Sequence, residues 1–111
     1  METKELPELR FAGPNSEAAW REAEAQGSLA PGEPGWWKVW GARVLDIRTG
    51  DMVLWQSSDY QEAMLVEGLY RAKSYPMRWG MVVEGEQITM GSLVPMTLLR
   101  KGTHNTLADS I

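Results

Sequence analysis

The chain has 111 residues, no cysteine and a formal net charge of −4, and 43% of its residues are hydrophobic. Its length fits one domain, and its composition is typical of globular proteins. The absence of cysteine excludes a disulfide framework, a thiolate nucleophile and a zinc ribbon, and it suits the reducing cytoplasm. The N-terminal residues lack a secretory pattern, and no apolar run approaches the roughly 18 residues of a membrane span. We therefore expect a cytoplasmic protein that has no membrane contact.

The acidic excess lies entirely in the first third of the chain. Residues 1–35 contain seven acidic and three basic side chains, whereas residues 36–111 contain eight of each. Overall acidity therefore does not exclude an anionic ligand on the larger, neutral part.

Residues 1–35 are predicted to form an acidic N-terminal arm with one short helix. Asn15 or Ser16 can cap the start of this helix, which runs to about Gln26 and stops at Gly27. The apolar side of the helix is thin beyond Trp20, so the helix needs to dock on another element.

Residues 36–102 are predicted to form the core of a single domain, and residues 103–111 a polar tail. The strand regions are rich in β-branched and aromatic residues and are separated by turn residues. A Ser58-x-x-Gln61 capping box predicts the start of the main helix. The predicted elements are a β-hairpin of residues 36–47 and 51–57, a main helix from Ser58 to about Ser74, strands at 77–85 and 86–90, and a short helix at 95–101.

This β-β-α-β-(β) order predicts an α+β fold. We expect a small, mostly antiparallel sheet with the main helix packed on one face and the short N-terminal helix nearby. Both faces of the hairpin strands are apolar, and the main helix carries a second apolar patch, so more than one face needs a cover. The N-terminal helix can provide that cover, or a second copy of the chain can, which predicts a homo-oligomer.

Six tryptophans dominate the predicted core and the predicted interface. Those predicted to lie in the core are Trp37, Trp55 and Trp79. For Trp36 and Trp40, burial in the core or in a homo-oligomer interface competes with a site for an outside partner. The candidate partner-binding residues are Trp36, Trp40, Val66 and Tyr70.

The sequence contains no recognisable catalytic, metal-binding or cofactor-binding motif. The single histidine, His104, lies in the polar tail, where a rigidly held catalytic base is not expected. Glu84 and Glu86 flank a glycine, which is typical of a surface turn. We expect no enzyme activity, no metal and no cofactor.

One stretch, residues 70–79, is a candidate site for a nucleotide or single-stranded nucleic acid. It combines basic and aromatic side chains without an acid, and such side chains contact phosphates and stack on bases. The competing explanation is that bases at a helix C-terminus stabilise its dipole. The candidate phosphate-binding residues are Arg71, Lys73, Tyr75 and Arg78.

The function that we expect first is a small non-enzymatic protein-interaction module of the adaptor or inhibitor type. It would bind a second copy of itself and another protein. Its size also suits a viral accessory protein, although no residue indicates that origin. Binding of a nucleotide or nucleic acid is the alternative.

Overall fold

The computed structural model describes residues 8–27, 29–71, 78–91 and 95–102. Strands make up 54% of these residues and helices 19%, so the protein is mostly β and the α+β prediction is wrong. The described elements are β1 (Glu8–Phe11), α1 (Pro14–Gln26), β2 (Trp36–Arg43), β3 (Met52–Gln56), β4 (Tyr60–Leu65), β5 (Gly68–Arg71), β6 (Arg78–Val83), β7 (Glu86–Gly91) and β8 (Pro95–Lys101), with one turn of 3-10 helix (Val44–Asp46) after β2. The predictions for Lys73, Tyr75 and the tail with His104 lie outside the described residues.

The strands form two sheets. The larger has the order β1-β4-β3-β8-β2, in which β1 is parallel to β4 and all other neighbours are antiparallel. The smaller is an antiparallel meander of β5, β6 and β7. Among the described elements, no helix is long and apolar enough to cross a membrane.

The five-stranded sheet is the middle layer of three, with α1 on one face and the smaller sheet on the other. Strand alternation divides its side chains between two buried clusters. The cluster under α1 contains Ala19, Ala23, Trp36, Met52, Leu54, Ala63 and Leu99. The cluster between the sheets includes Ala42, Val53, Met64, Val66, Trp79, Met81, Val83 and Leu98. Both faces of the central strands are therefore covered by the chain itself.

The predicted β-hairpin of the first two long strands is wrong, because β8 lies between β2 and β3. The prediction of a short helix over the segment of β8 is wrong as well. In the sheet, Leu98 faces the smaller sheet while Leu99 faces α1, so a strand with two buried faces has no polar side. A short apolar run of this kind cannot be distinguished from a buried helix by periodicity.

The predicted main helix is also wrong, because its segment forms β4 and β5 in two different sheets. Ala63 lies in the cluster under α1, whereas Met64 and Val66 lie in the cluster between the sheets. The two apolar patches that the sequence placed on different sides of a helix are therefore the two faces of one strand. The amide of Ser57 donates to the carbonyl of Tyr60 in a turn, which takes the place of the expected helix start.

A carboxylate from the smaller sheet holds the start of α1 in place. Glu84, in the turn between β6 and β7, accepts hydrogen bonds from the Ser16 amide at 2.7 Å and the Ser16 hydroxyl at 2.8 Å. The Ser16 hydroxyl in turn accepts from the Leu65 amide of β4 at 2.9 Å. Burial alone would raise the pKa of Glu84, but the bonds from Ser16 and from the Asn15 amide outweigh it and lower the pKa. The Ser16 side chain of α1 thus connects the helix to both sheets.

A buried ion pair joins β8 to the loop before β3. Asp51 is fully buried, and Arg100 donates to its carboxylate from Nε at 3.1 Å and from Nη2 at 3.1 Å. The amide of Arg48 donates to the same carboxylate at 2.8 Å, and Arg100 also donates to the carbonyl of Asp46. Burial raises the pKa of Asp51, although the contacts with Arg100 and Arg48 oppose the rise.

Candidate binding surface along strand β2

Strand β2 is the longer of the two edge strands of the central sheet. It has eight residues, against four in β1 at the other edge. Its inner side pairs with β8, and within the described part of the chain no strand pairs with its outer side. An edge strand of this length leaves backbone donors and acceptors available for another chain.

A β-bulge changes which side chains of β2 share a face. The pairing with β8 shifts between Val39 and Ala42, and Gly41 in the bulge has a φ of 64°, which favours glycine. Ala42 lies in the cluster between the sheets, so Arg43 is placed on the opposite face, the α1 side. Lys38, on the near side of the bulge, shares that face with Arg43.

Trp40 is the most exposed of the large apolar side chains described, with 73% of its surface accessible. The ammonium nitrogen of Lys38 lies 4.9 Å from the centre of its ring, which places both side chains together. No described acidic group forms an ion pair with Lys38 or with Arg43. The α1 side of β2 therefore displays one tryptophan and two cations.

Beside this stripe, an open apolar groove of about 600 Å³ lies between α1, the loop before β2 and the first half of β2. We call it the tryptophan groove. Its apolar lining is Trp20, Ala23, Leu29, Pro31, Trp36, Trp37 and Leu99, and its charged side chains are Glu24 and Lys38. Its volume is in the range of sites that bind a small molecule or a large side chain.

Ion pairs fix the elements that surround the groove. The Lys101 ammonium binds the Glu22 carboxylate, which ties the end of β8 to α1. This hydrogen bond lowers the pKa of Glu22 despite partial burial, and the buried indole N–H of Trp36 acts in the same direction without reaching hydrogen-bond geometry. Within α1, Arg21 pairs with Glu24 at 3.0 Å.

The four predicted partner-binding residues do not form one surface. Trp36 and Trp40 both belong to β2, but Trp36 is only 3% exposed and forms part of the wall of the groove. Val66 is buried between the sheets. Tyr70 is half-buried on the smaller sheet, where its hydroxyl lies 2.9 Å from the Thr89 hydroxyl.

Of the tryptophans predicted for the core, Trp79 is confirmed as a buried residue of the cluster between the sheets. Trp37 is half-buried and lines the groove. The prediction for Trp55 is wrong, because 36% of its surface is exposed.

The predicted phosphate-binding stretch includes a strand pair and lies partly outside the described residues. Arg71 of β5 is in register with Trp79 of β6, and the guanidinium carbon lies 5.4 Å from the centre of that buried ring. The Tyr70 ring covers Gly80 so closely that an added Cβ there would lie 2.1 Å from it. Arg78 begins β6. Trp79 is therefore closed to a stacking base, and the side of the Tyr70 ring that covers Gly80 is closed as well.

Two residues of the β2 surface, Lys38 and Arg43, are not among the candidates that the sequence indicates. The signal available was the position of Lys38 among three tryptophans. The grouping with Arg43 depends on the bulge at Gly41, which a single glycine in a strand only suggests.

The described residues contain no group of three acidic or histidine side chains that could hold a metal ion. Comparison with known proteins gives no relative, since no protein-family model, no curated protein and no solved structure matches the chain.

Proposed function

We propose that the protein is a non-catalytic, cytoplasmic protein-interaction module that binds an extended segment of a partner protein along the outer edge of β2. The observation that supports this most strongly is the exposure of Trp40 on a long edge strand beside an open apolar groove. A single exposed apolar residue is ordinary, but a tryptophan at an unpaired strand edge next to a groove is not.

Strand addition uses both features of this surface. The backbone groups of an edge strand supply hydrogen bonds to an extended peptide, and neighbouring pockets take its side chains. Tryptophan supplies a large contact area at low entropic cost, which is why it is enriched where interfaces are strongest. Trp40 would contact the added segment, and the tryptophan groove would take an apolar side chain from it.

An outside partner is favoured over self-association. The apolar faces that suggested a homo-oligomer are covered by α1 and by the smaller sheet. In a second copy, the exposed β2 side chains would bring two further cations, Lys38 and Arg43, to the same interface. Like charges at a strand edge oppose pairing of identical strands.

The proposal is tested with the full chain as bait in an extract of its own host cells. The variants are Trp40→Ala and, as a matched control, Trp55→Ala on the opposite face of the sheet, each checked by thermal denaturation. We expect wild type and the control to retain the same partner and Trp40→Ala to lose it. Hydrogen exchange should show slower exchange in β2 when the partner is bound.

Three results would contradict the proposal. In the first, Trp40→Ala retains the partner as well as wild type does. In the second, the protection maps to the smaller sheet. In the third, sedimentation shows a concentration-dependent dimer that Trp40→Ala abolishes, which would make β2 a self-association strand. Should Trp55→Ala fail to fold, Arg10→Glu on β1 serves as the control.

A further inference from the structure

The charges around β2 indicate the chemistry of the partner. We infer that β2 recognises an acidic extended segment, which carries two carboxylates on one face and an apolar anchor at the end nearest the groove. This recognition rests on the proposed function, since it takes place at the same strand edge. The observations that favour it are charge complementarity, the register of the bulge and the position of the groove.

The cations of β2 are available to a ligand. Lys38 and Arg43 are exposed, and no ion pair joins either of them to a described acid. By contrast, Lys101 at the end of β8 and Arg21 of α1 are each paired with a glutamate. A segment with carboxylates opposite Lys38 and Arg43 would gain opposite-charge cross-strand pairs, which are favourable in sheets.

The bulge sets the spacing of those carboxylates. Lys38 and Arg43 are five positions apart in this chain, but two residues of the bulge count as one in the ladder. A regular added strand would meet them with side chains about four positions apart, because same-face residues recur every second position. The side chain between the two acids would then face Trp40, where an aliphatic or aromatic residue fits best.

The groove sets the direction of the pattern. It is lined by Trp36, Trp37 and Lys38, so it lies at the beginning of β2. The apolar anchor must therefore lie beyond the carboxylate that meets Lys38. The groove has room for a leucine or an aromatic side chain, because its volume is about 600 Å³ and its mouth is open.

A single nucleic-acid strand also combines negative charge with rings that stack on tryptophan. The acidic peptide is favoured for two reasons. The groove has an apolar lining, and two carboxylates lie near it: Glu24 in the groove and Glu33 exposed in the loop before β2. Such carboxylates repel a continuous phosphate backbone, whereas a peptide can place neutral residues opposite them.

The test is a selection of displayed random peptides of roughly twelve residues, long enough to span the eight residues of β2. The immobilised target is the full chain, and the selected peptides are then synthesised for affinity measurement. We expect them to share two acids about four positions apart and an apolar residue at one end. Lys38→Glu or Arg43→Glu should each weaken their binding about tenfold, with a marked dependence on salt.

Arg10→Glu on β1 is the matched control. It makes the same charge change at the opposite edge of the same sheet, and Arg10 also lies over an aromatic ring, 4.3 Å from the centre of Tyr60. Its effect on affinity should be less than about twofold. All variants must retain the thermal stability of wild type.

The outcomes separate this inference from the proposed function. Selected peptides that lack acids but lose binding in Trp40→Ala overturn the acidic chemistry and leave strand addition in place. A selection in which no peptide depends on Trp40 overturns both. An oligothymidine probe that binds more tightly than the peptides, and is lost in Lys38→Glu, overturns the peptide in favour of nucleic acid.

Discussion

The two faces of the central sheet are covered in different ways, although the same strands supply both. The smaller sheet closes one face over a continuous cluster in which Val53, Met81 and Leu98 have no exposed surface. On the other face, α1 contributes the small side chains of Ala19 and Ala23, and the groove remains open beside them. Large side chains from a second sheet fill space more completely than a short helix that packs through alanines.

This difference assigns the two faces different roles. The face between the sheets holds most of the fully buried residues and the Asp51–Arg100 pair, so we expect it to supply most of the stability. The α1 face carries the stripe of Lys38, Trp40 and Arg43 together with the groove. Substitutions on each face test whether stability and binding are divided in this way.

Among the largest expected effects is that of Arg100→Leu, which leaves the Asp51 carboxylate buried without its partner. Removing one member of a buried pair costs about 3–5 kcal/mol of unfolding free energy. The measurement is chemical denaturation near neutral pH. The double variant Asp51→Asn/Arg100→Leu should recover at least half of the loss, because no buried charge remains. A loss below about 1 kcal/mol would show that water reaches the pair and that this face is open.

The same variant has a predicted pH dependence. The folded-state pKa of Asp51 already lies above its ordinary value, and loss of Arg100 raises it further. Burial of the charged form therefore costs stability above the folded pKa, and the cost disappears as the pH falls towards about 4, where the unfolded carboxyl is also protonated. The deficit of Arg100→Leu should shrink as the pH is lowered.

Alanine substitutions of the two adjacent leucines of β8 allow a direct comparison of the two faces. Leu98 is fully buried between the sheets, whereas Leu99 lines the groove on the α1 side. Leu98→Ala should cost about 3–5 kcal/mol, because it leaves a closed cavity, and Leu99→Ala about 2–3 kcal/mol, because it only widens an open groove. Equal losses in chemical denaturation would indicate that the groove is closed in solution.

Local signals were sufficient to locate α1 and the turn between β6 and β7. The helix begins at Pro14 and ends at Gln26, close to the predicted range, and Gly27 follows it as predicted. The predicted cap is wrong, because Gly13 precedes the helix, while Asn15 and Ser16 lie inside its first turn. The turn predicted at Glu84 and Gly85 is present, and both residues have positive φ. These features depend on a few neighbouring residues, which the sequence displays.

The layered arrangement could not be predicted, because it depends on pairings between distant strands. β8 is inserted between β2 and β3, and β1 adds in parallel to β4. A strand buried on both faces, such as β8, has the apolar pattern of a short buried helix. The candidate site was predictable only in part. The tryptophan cluster is visible in the sequence, but the exposure of Trp40 follows from the position of β2 at the sheet edge.

A smaller effect is expected for Glu84→Gln, which tests how α1 is held on its face. The charged carboxylate accepts from the Ser16 amide and hydroxyl at the start of the helix, in the manner of a cap from a distant residue. Complete loss of a cap costs about 1 kcal/mol, and the glutamine oxygen can still accept, so the expected loss is below about 1 kcal/mol. Because the folded-state pKa of Glu84 is lowered, its contribution is present above the unfolded pKa near 4.3 and is lost as the pH falls through the folded value.

The difference in stability between wild type and Glu84→Gln should therefore vanish at acidic pH. Thermal denaturation at several pH values measures this difference in stability. Glu22, whose pKa is also lowered, is present in both proteins, so its contribution cancels when the two are compared. A difference that persists below about pH 3 would assign the effect to packing, for example against Gly13, where an added Cβ would lie 2.5 Å from the Glu84 carboxyl carbon.

The smallest effect on stability is expected for the residue with the largest expected effect on binding. Trp40 has most of its surface in solvent, and its described ring contact is with the exposed Lys38. Trp40→Ala should change the unfolding free energy by no more than about 0.5 kcal/mol, since exposed substitutions away from caps and buried networks have little effect.

Trp79→Ala, on the closed face, should cost about 3–5 kcal/mol in the same denaturation experiment. A loss above about 1.5 kcal/mol for Trp40→Ala would show that the ring packs against the domain, and β2 would then lose the exposed tryptophan on which strand addition depends. With stability unchanged and partner binding lost, Trp40 would be a residue whose apolar surface serves the complex and not the fold.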